Sequence, residues 1–184
     1  MKDVIKELHA EHATMERLLK ILDHQVEIFG EGGHPDYAMV EDIVLYFLTY
    51  PDQCHHPKED LLARKLLEKA PDKAARLRGL AELHEELSQL TKKVAAIVRN
   101  VLNEAELPRS QLVQATKEFI DSQRHHMEME EEHFLPLAEQ VLSQSDRDDL
   151  ASELFEGSDP LFGPKTEEHF AVLRERILGW ERDH

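Results

Sequence analysis

Apolar residues recur at alternating steps of three and four along four long stretches of this chain, and each stripe is interrupted by a histidine. From Asp3 to Phe29 the stripe reads Ile5, Leu8, His12, Met15, Leu19, Leu22, Val26, Phe29, with Lys6, Glu16, Lys20 and Glu27 on the opposite face. Such steps average close to the ~3.6 residues of an α-helical turn, so these side chains share one side of an amphipathic helix. Gly30, Gly32, Gly33 and Pro35 end it. A helix with one apolar stripe is stable only when the stripe is covered, so the other stripes are its natural partners.

The second segment is expected from Asp36 to Lys69, with Val44, Leu48, Pro51, His55, Glu59, Leu62 and Leu66 facing in. Pro51 and Pro57 lie inside it and are expected to kink or break it. After Ala70-Pro71-Asp72 a third helix runs to Asn103, striped by Leu77, Leu80, His84, Leu87, Thr91, Val94, Val98 and Val101. A fourth, with Ser110 as its expected cap, runs to Ser143 and turns Leu112, Phe119, Gln123, His126, Glu130, Phe134, Leu137 and Val141 inward, with Pro136 bending its end. A short helix near 146–156 and a last one near 165–182, carrying Phe170, Leu173, Ile177 and Trp180, complete the chain. Short turns between long helices predict an all-α, up-down-up-down four-helix bundle over residues 1–145, with a C-terminal helical extension over 146–184, in a single domain. The apolar face of that extension is expected either to pack on the bundle or to meet a second copy in a homodimer.

Antiparallel packing sets the register of the interruptions. Counted from the turns, His12, His55, Glu59, His84, His126 and Glu130 agree in height to within roughly 3 Å at ~1.5 Å rise per residue. His55 and Glu59, like His126 and Glu130, are one helical turn apart and share a face. Buried titratable groups in one layer of an apolar bundle are costly unless a partner compensates them. Imidazole and carboxylate donors together suit iron, manganese or zinc better than magnesium or calcium. The spacing is compatible with one ion or with two bridged by the glutamates.

Composition closes off other classes. With 22 basic against 38 acidic side chains the net charge is -16, which repels phosphate backbones and anionic lipid, so no nucleic acid and no membrane partner is expected. One cysteine, Cys54, excludes an intramolecular disulfide framework and cysteine-rich metal sites. The start of the chain has no apolar leader pattern, and no stretch reaches the ~20 apolar residues of a membrane span, so a cytoplasmic location is expected.

Over roughly residues 1–143 the sequence resembles the hemerythrin-like (HHE cation-binding) domains. The resemblance rests on Leu8-His9-Ala10-Glu11-His12, His55-His56-Pro57-Lys58-Glu59-Asp60, Leu83-His84, and the run from His126 through Glu130-Glu131 to Phe134-Leu135-Pro136. It implies a four-helix bundle around two iron ions in a non-haem di-iron centre. It further implies that His12, His55, Glu59, His84, His126 and Glu130 are the metal ligands. Two departures from the oxygen-carrying members stand out. Ser88 occupies the place of their second helix-three histidine, and the helix-four pair is spaced His-x-x-x-Glu rather than His-x-x-x-x-Asp. Four imidazoles in place of five imply a more open coordination sphere, closer to the iron-sensing and iron-cluster-repair members.

The remaining histidines are assigned lesser roles. His56 and His125 adjoin ligands and should point ~100° away, to hydrogen-bond behind the site or face solvent. His9, His24, His34, His133 and His184 are expected mainly at the surface, and His169 is a candidate to cover an open metal face. Tyr46 and Tyr50 are read as core aromatics, and Asp60 and Glu131 as acids beside or outside the site. The functional expectation is a protein that binds or senses oxygen, nitric oxide or iron. Its rivals are a di-iron oxidase, peroxidase or repair enzyme, and a bundle tied by a structural metal, zinc included.

Overall fold

A computed structural model describes residues 3–103, 108–153, 159–162 and 168–183, apart from the side chains of residues 75, 76, 78, 169 and 183. Its described residues are helices and turns. In chain order they are α1 (Val4–Gly30), α2 (Tyr37–Tyr50), α3 (His56–Lys69), α4 (Leu80–Leu102), α5 (Arg109–Met129), α6 (Leu135–Val141), α7 (Gln144–Glu153) and α8 (Ala171–Asp183). Asp3 caps α1 by accepting from the Ile5 amide, and Asp36 caps α2 by accepting from Met39. Gly32, with φ at 90°, makes the left-handed step out of α1 that a side chain would oppose. The expected cap at Ser110 is not formed. The helix begins one residue earlier, at Arg109, and Pro108 precedes it.

The prolines do not break their helices: Pro51 opens a widened turn, and Pro57 and Pro136 each follow one. A π-helical turn, Pro51–His55, joins α2 to α3, and a second, Glu130–Phe134, joins α5 to α6. In the first, the His56 amide donates to the Pro51 carbonyl, five residues back. In the second, Leu135 donates to Glu130, again five back. Pro57 and Pro136 come next and have no amide hydrogen, so the ordinary ladder cannot continue there. Taking up an extra residue in the turn keeps the helix axis going while shifting the inward face by about one residue, or ~100°.

Ion pairs show how the helices lie. Going up α1 from Glu16 to Asp23 to Glu27, the partners on α5 descend from Arg124 to Lys117. Asp52 meets Ser88 and Asp60 meets His84, so α2–α3 and α4 also run in opposite directions. The core is divided. One apolar cluster gathers Met15, Leu19, Leu22, Phe47, Val94 and Phe119, and takes in Leu161, Phe170, Leu173 and Ile177 from the C-terminal part. The other holds Ile5, Leu8, Leu62, Leu66, Phe134 and Leu150. Helix α8 thus packs on the bundle, against α1 and α2. No helix among the described residues is long and apolar enough to cross a membrane.

Candidate metal centre

Between the two apolar clusters lies a buried polar layer. It contains all six residues expected from the sequence, His12, His55, Glu59, His84, His126 and Glu130, and a seventh, His56. They form two overlapping groups. In one, His12, His55, Glu59 and Glu130 hold their ligand-type atoms within 4.8 Å of one another; in the other, His56, Glu59, His84 and His126 do the same. The first π turn explains the addition. On a regular helix His55 and His56 point ~100° apart, whereas the widened turn ahead of Pro57 leaves both buried, at 1% and 6% exposure.

Glu59 is the hinge of the layer. Its Oε1 lies 2.9 Å from His55 Nε2 and 3.4 Å from His12 Nε2, while its Oε2 lies 3.3 Å from His84 Nε2. Glu130 Oε2 is 3.4 Å from His12 Nε2 and 3.3 Å from His126 Nε2, and its Oε1 is 3.9 Å from His84 Nε2. The His12 and His55 Nε2 atoms approach to 3.1 Å. Two nitrogens bound at right angles to one ion at ~2.1 Å would stand ~3 Å apart. Both glutamates are wholly buried, and none of their carboxylate oxygens is in hydrogen-bond alignment with a donor. Lone pairs converging without donors are costly in a dry interior unless a cation lies among them. The donors present therefore fit a metal.

Most of the rings are held from behind. His12 Nδ1 is 2.7 Å from Glu131 Oε1, and the other Glu131 oxygen is 2.6 Å from the partly exposed His9. His55 Nδ1 is 2.7 Å from Glu11, which also accepts from the Tyr50 hydroxyl at 2.7 Å and from the buried Lys58 ammonium. His56 Nδ1 is 3.3 Å from Asp52, whose other oxygen accepts from Ser88 at 2.6 Å. His56 also stacks on His84, with ring centroids 4.1 Å apart and planes 8° from parallel. His84 Nδ1 comes within 3.2 Å of Asp60, out of hydrogen-bond alignment. His126 Nδ1 has no partner. A carboxylate behind a ligand histidine fixes its tautomer and orients its inner nitrogen, which here is Nε2.

Protonation follows from these contacts. Burial alone would lower His12 and His84, but the Glu130 and Glu59 carboxylates raise both to about 10. Burial would raise Glu59, yet His55, His12 and His84 hold it well below its ordinary range. Glu130 moves the other way, raised by burial and by the charge on Glu59. Burial pushes His126 down to about 3 and also lowers His56. Burial opposes the Glu11 charge too, but His55 and Lys58 overcome it, so Glu11 stays ionised behind His55.

Among the other candidates, His34, His125 and His133 are exposed, and His24 is half-buried beside Trp180. The side chain of His169 and all of His184 lie outside the described residues. Cys54 is half-buried and free of any disulfide. Glu11 and Lys58 escaped the sequence reading altogether. The available signal was their position, each immediately before a candidate ligand, His12 and Glu59, in the short motifs already marked. The hemerythrin HHE cation-binding domain model matches residues 3–138. Among curated proteins, none matches the chain.

Proposed function

The chain belongs to the hemerythrin HHE cation-binding domain family, a family of metal-binding helical proteins, and from that premise we propose that it is a non-haem di-iron protein that binds or senses oxygen or nitric oxide. The observation that carries the proposal is the division of Glu59, one oxygen toward His12 and His55 and the other toward His84. In this reading His12 and His55 would hold one ion and His56, His84 and His126 the other, with Glu59 and Glu130 belonging to the layer common to both. Five imidazoles then replace the four expected from sequence, His56 supplying from α3 what Ser88 does not supply from α4.

Imidazole and carboxylate donors in this proportion suit iron, with manganese and zinc as competitors. Bound iron supplies an electron-rich centre to which a diatomic molecule attaches. The protein's own part is to position and to exclude. Glu11 and Glu131 hold the protons on the outer nitrogens of His55 and His12, so that a proton given up on loading would be the one on Nε2. Apolar clusters on both sides keep bulk water from the layer. Fewer imidazoles converge on the His12–His55 side than on the His56–His84–His126 side, so a small ligand would be accommodated on the former.

A second reading, a di-iron redox enzyme, draws on Tyr50, whose hydroxyl donates to the same Glu11 that holds His55. Metal analysis and absorption spectra of anaerobically purified protein, before and after oxygen or nitric oxide, test both. Two irons per chain and a new charge-transfer band, stable and stoichiometric, support binding. Turnover of peroxide or nitric oxide supports the enzyme. Colourless protein whose melting temperature is unchanged by chelation overturns both.

A further inference from the structure

We propose that Tyr50 and Lys58 are positioning residues for the ion at His12 and His55: together they pin one oxygen of Glu11 so that the other holds the His55 ring. The inference rests on the metal reading of the layer. A glutamate carboxylate turns easily about its last bond, so left to itself it presents either oxygen in many directions. Here the two oxygens are divided. Glu11 Oε2 lies 2.7 Å from His55 Nδ1, while Oε1 accepts from the Tyr50 hydroxyl at 2.7 Å and from the Lys58 ammonium. Tyr50 ends α2, His55 sits in the π turn, Lys58 lies in α3, and Glu11 comes from α1. Donors from both sides of the turn that carries the ring thus converge on one carboxylate. Tyr50, Lys58 and Glu11 are all buried, so little water competes for these contacts.

Neither stability nor charge accounts for an ammonium at this place. A buried ammonium–carboxylate pair is a weak source of stability, since apolar residues of similar shape serve a fold as well. As a bare charge Lys58 works against the site, because a positive group beside it repels an incoming cation. What Lys58 does supply is direction. Its ammonium is tied at the far side to Glu7 at 2.8 Å, which fixes the point from which it holds Glu11. The other supports in the layer are built more loosely. Glu131 and Asp52 are both partly exposed, and their second oxygens go to the partly exposed His9 and to Ser88. Charge and direction predict opposite signs when Lys58 is made neutral: lifting a repulsion tightens iron binding, whereas freeing Glu11 loosens it.

Two measurements on the full chain separate the clamp from the metal. In metal-free protein, heteronuclear NMR should find the His55 Nδ1 proton slow to exchange with solvent. Tyr50→Phe, which removes one donor and no charge, should speed that exchange about tenfold, the worth of one net hydrogen bond. In anaerobic titrations with ferrous iron against a chromophoric chelator, Tyr50→Phe and Lys58→Met should each weaken the first ion about tenfold and leave the second unchanged. In a Glu11→Ala background neither substitution should weaken the first ion further. If Lys58→Met does not fold, Tyr50→Phe, which leaves every charge in place, decides alone. Tighter iron binding by Lys58→Met, unchanged exchange and affinity in Tyr50→Phe, equal losses at both ions, or losses that persist without Glu11 overturn the clamp. Protein that takes up no iron overturns the metal reading instead, and the exchange measurement still decides whether Tyr50 holds Glu11 against His55.

Discussion

The two halves of the polar layer use the same kinds of side chain and are supported very differently. Behind His12 and His55 stand hydrogen-bonded carboxylates at 2.7 Å, and behind those stand His9, Tyr50 and Lys58. Behind His56 and His84 the carboxylates sit at 3.3 and 3.2 Å, the rings lean on one another, and His126 Nδ1 has no partner at all. Support of the first kind fixes ring orientation before any ion arrives, and preorganised ligands lose less freedom on binding. The lesson is that identical donors need not bind alike. The His12–His55 half should fill first and hold its ion longer, whereas the His56–His84–His126 half would need an ion to complete it.

Removing the residue common to both halves gives the largest effect. Glu59→Ala is expected to leave chelator-washed, reloaded protein with neither ion, read as metal per chain after gel filtration. Retention of both ions would dissolve the comparison, because the halves would then not share a ligand.

Proton competition comes next. His12 and His84, one from each half, keep their protons up to about 10 in metal-free protein. An ion accepts only the neutral ring, so loading expels a proton at each. Apparent affinity should climb about tenfold per pH unit for each ion between pH 7 and 9, and calorimetry in buffers of different ionisation enthalpy should count about two protons released per chain. For stability of the metal-free fold the sign is reversed. These two raised groups stabilise fully below their ordinary value of 6.5, and that stability is lost as pH rises toward about 10. His126, held at about 3, works from the acid side: below 6.5 the unfolded chain gains a proton that the fold refuses, so stability falls with pH. Melting curves of chelated protein should therefore peak near neutrality, and loaded protein should keep its melting temperature further into alkali.

His56→Ala then separates the halves. The variant is expected to retain about one ion per chain, in the half it does not touch. Two ions of unchanged affinity would return His56 to a supporting role. The smallest effects sharpen the contrast in support. Glu11→Gln is expected to weaken the first ion by ~10–100-fold, the usual cost of losing a partner behind a ligand histidine. Asp60→Asn, at a misaligned and half-exposed contact, should change the second ion only a few-fold. Equal losses from the two would mean that the difference in support carries no energetic weight.

The sequence carried the bundle plainly, because stripes such as Leu87, Thr91, Val94, Val98 on α4 repeat at helical spacing and Gly or Pro marks the turns. It also carried the height of the six residues, since register in antiparallel helices is counted from those turns. What it concealed was angular. A 3.6-residue wheel turns His56 away from His55, and nothing in apolar periodicity announces a turn with one extra residue. Pro57 is the available clue, and its expected effect, a kink or a break, is replaced by a widened turn ahead of it. Glu11 and Lys58 were hidden for a related reason. Charged residues on a helix are ordinarily solvated, and only the pairing of these two with each other and with His55 makes their burial tolerable.

The π turns also bear on how such a centre changes over generations. Each amounts to one residue more than a regular helix would use. Deleting a single residue from 51–54 would restore the ordinary winding and leave room for His55 or for His56, but not for both. The number of imidazoles buried in the layer is thus set partly by the length of a five-residue segment, Pro51–His55. Lineages can alter that number by insertion or deletion while every histidine codon stays as it was.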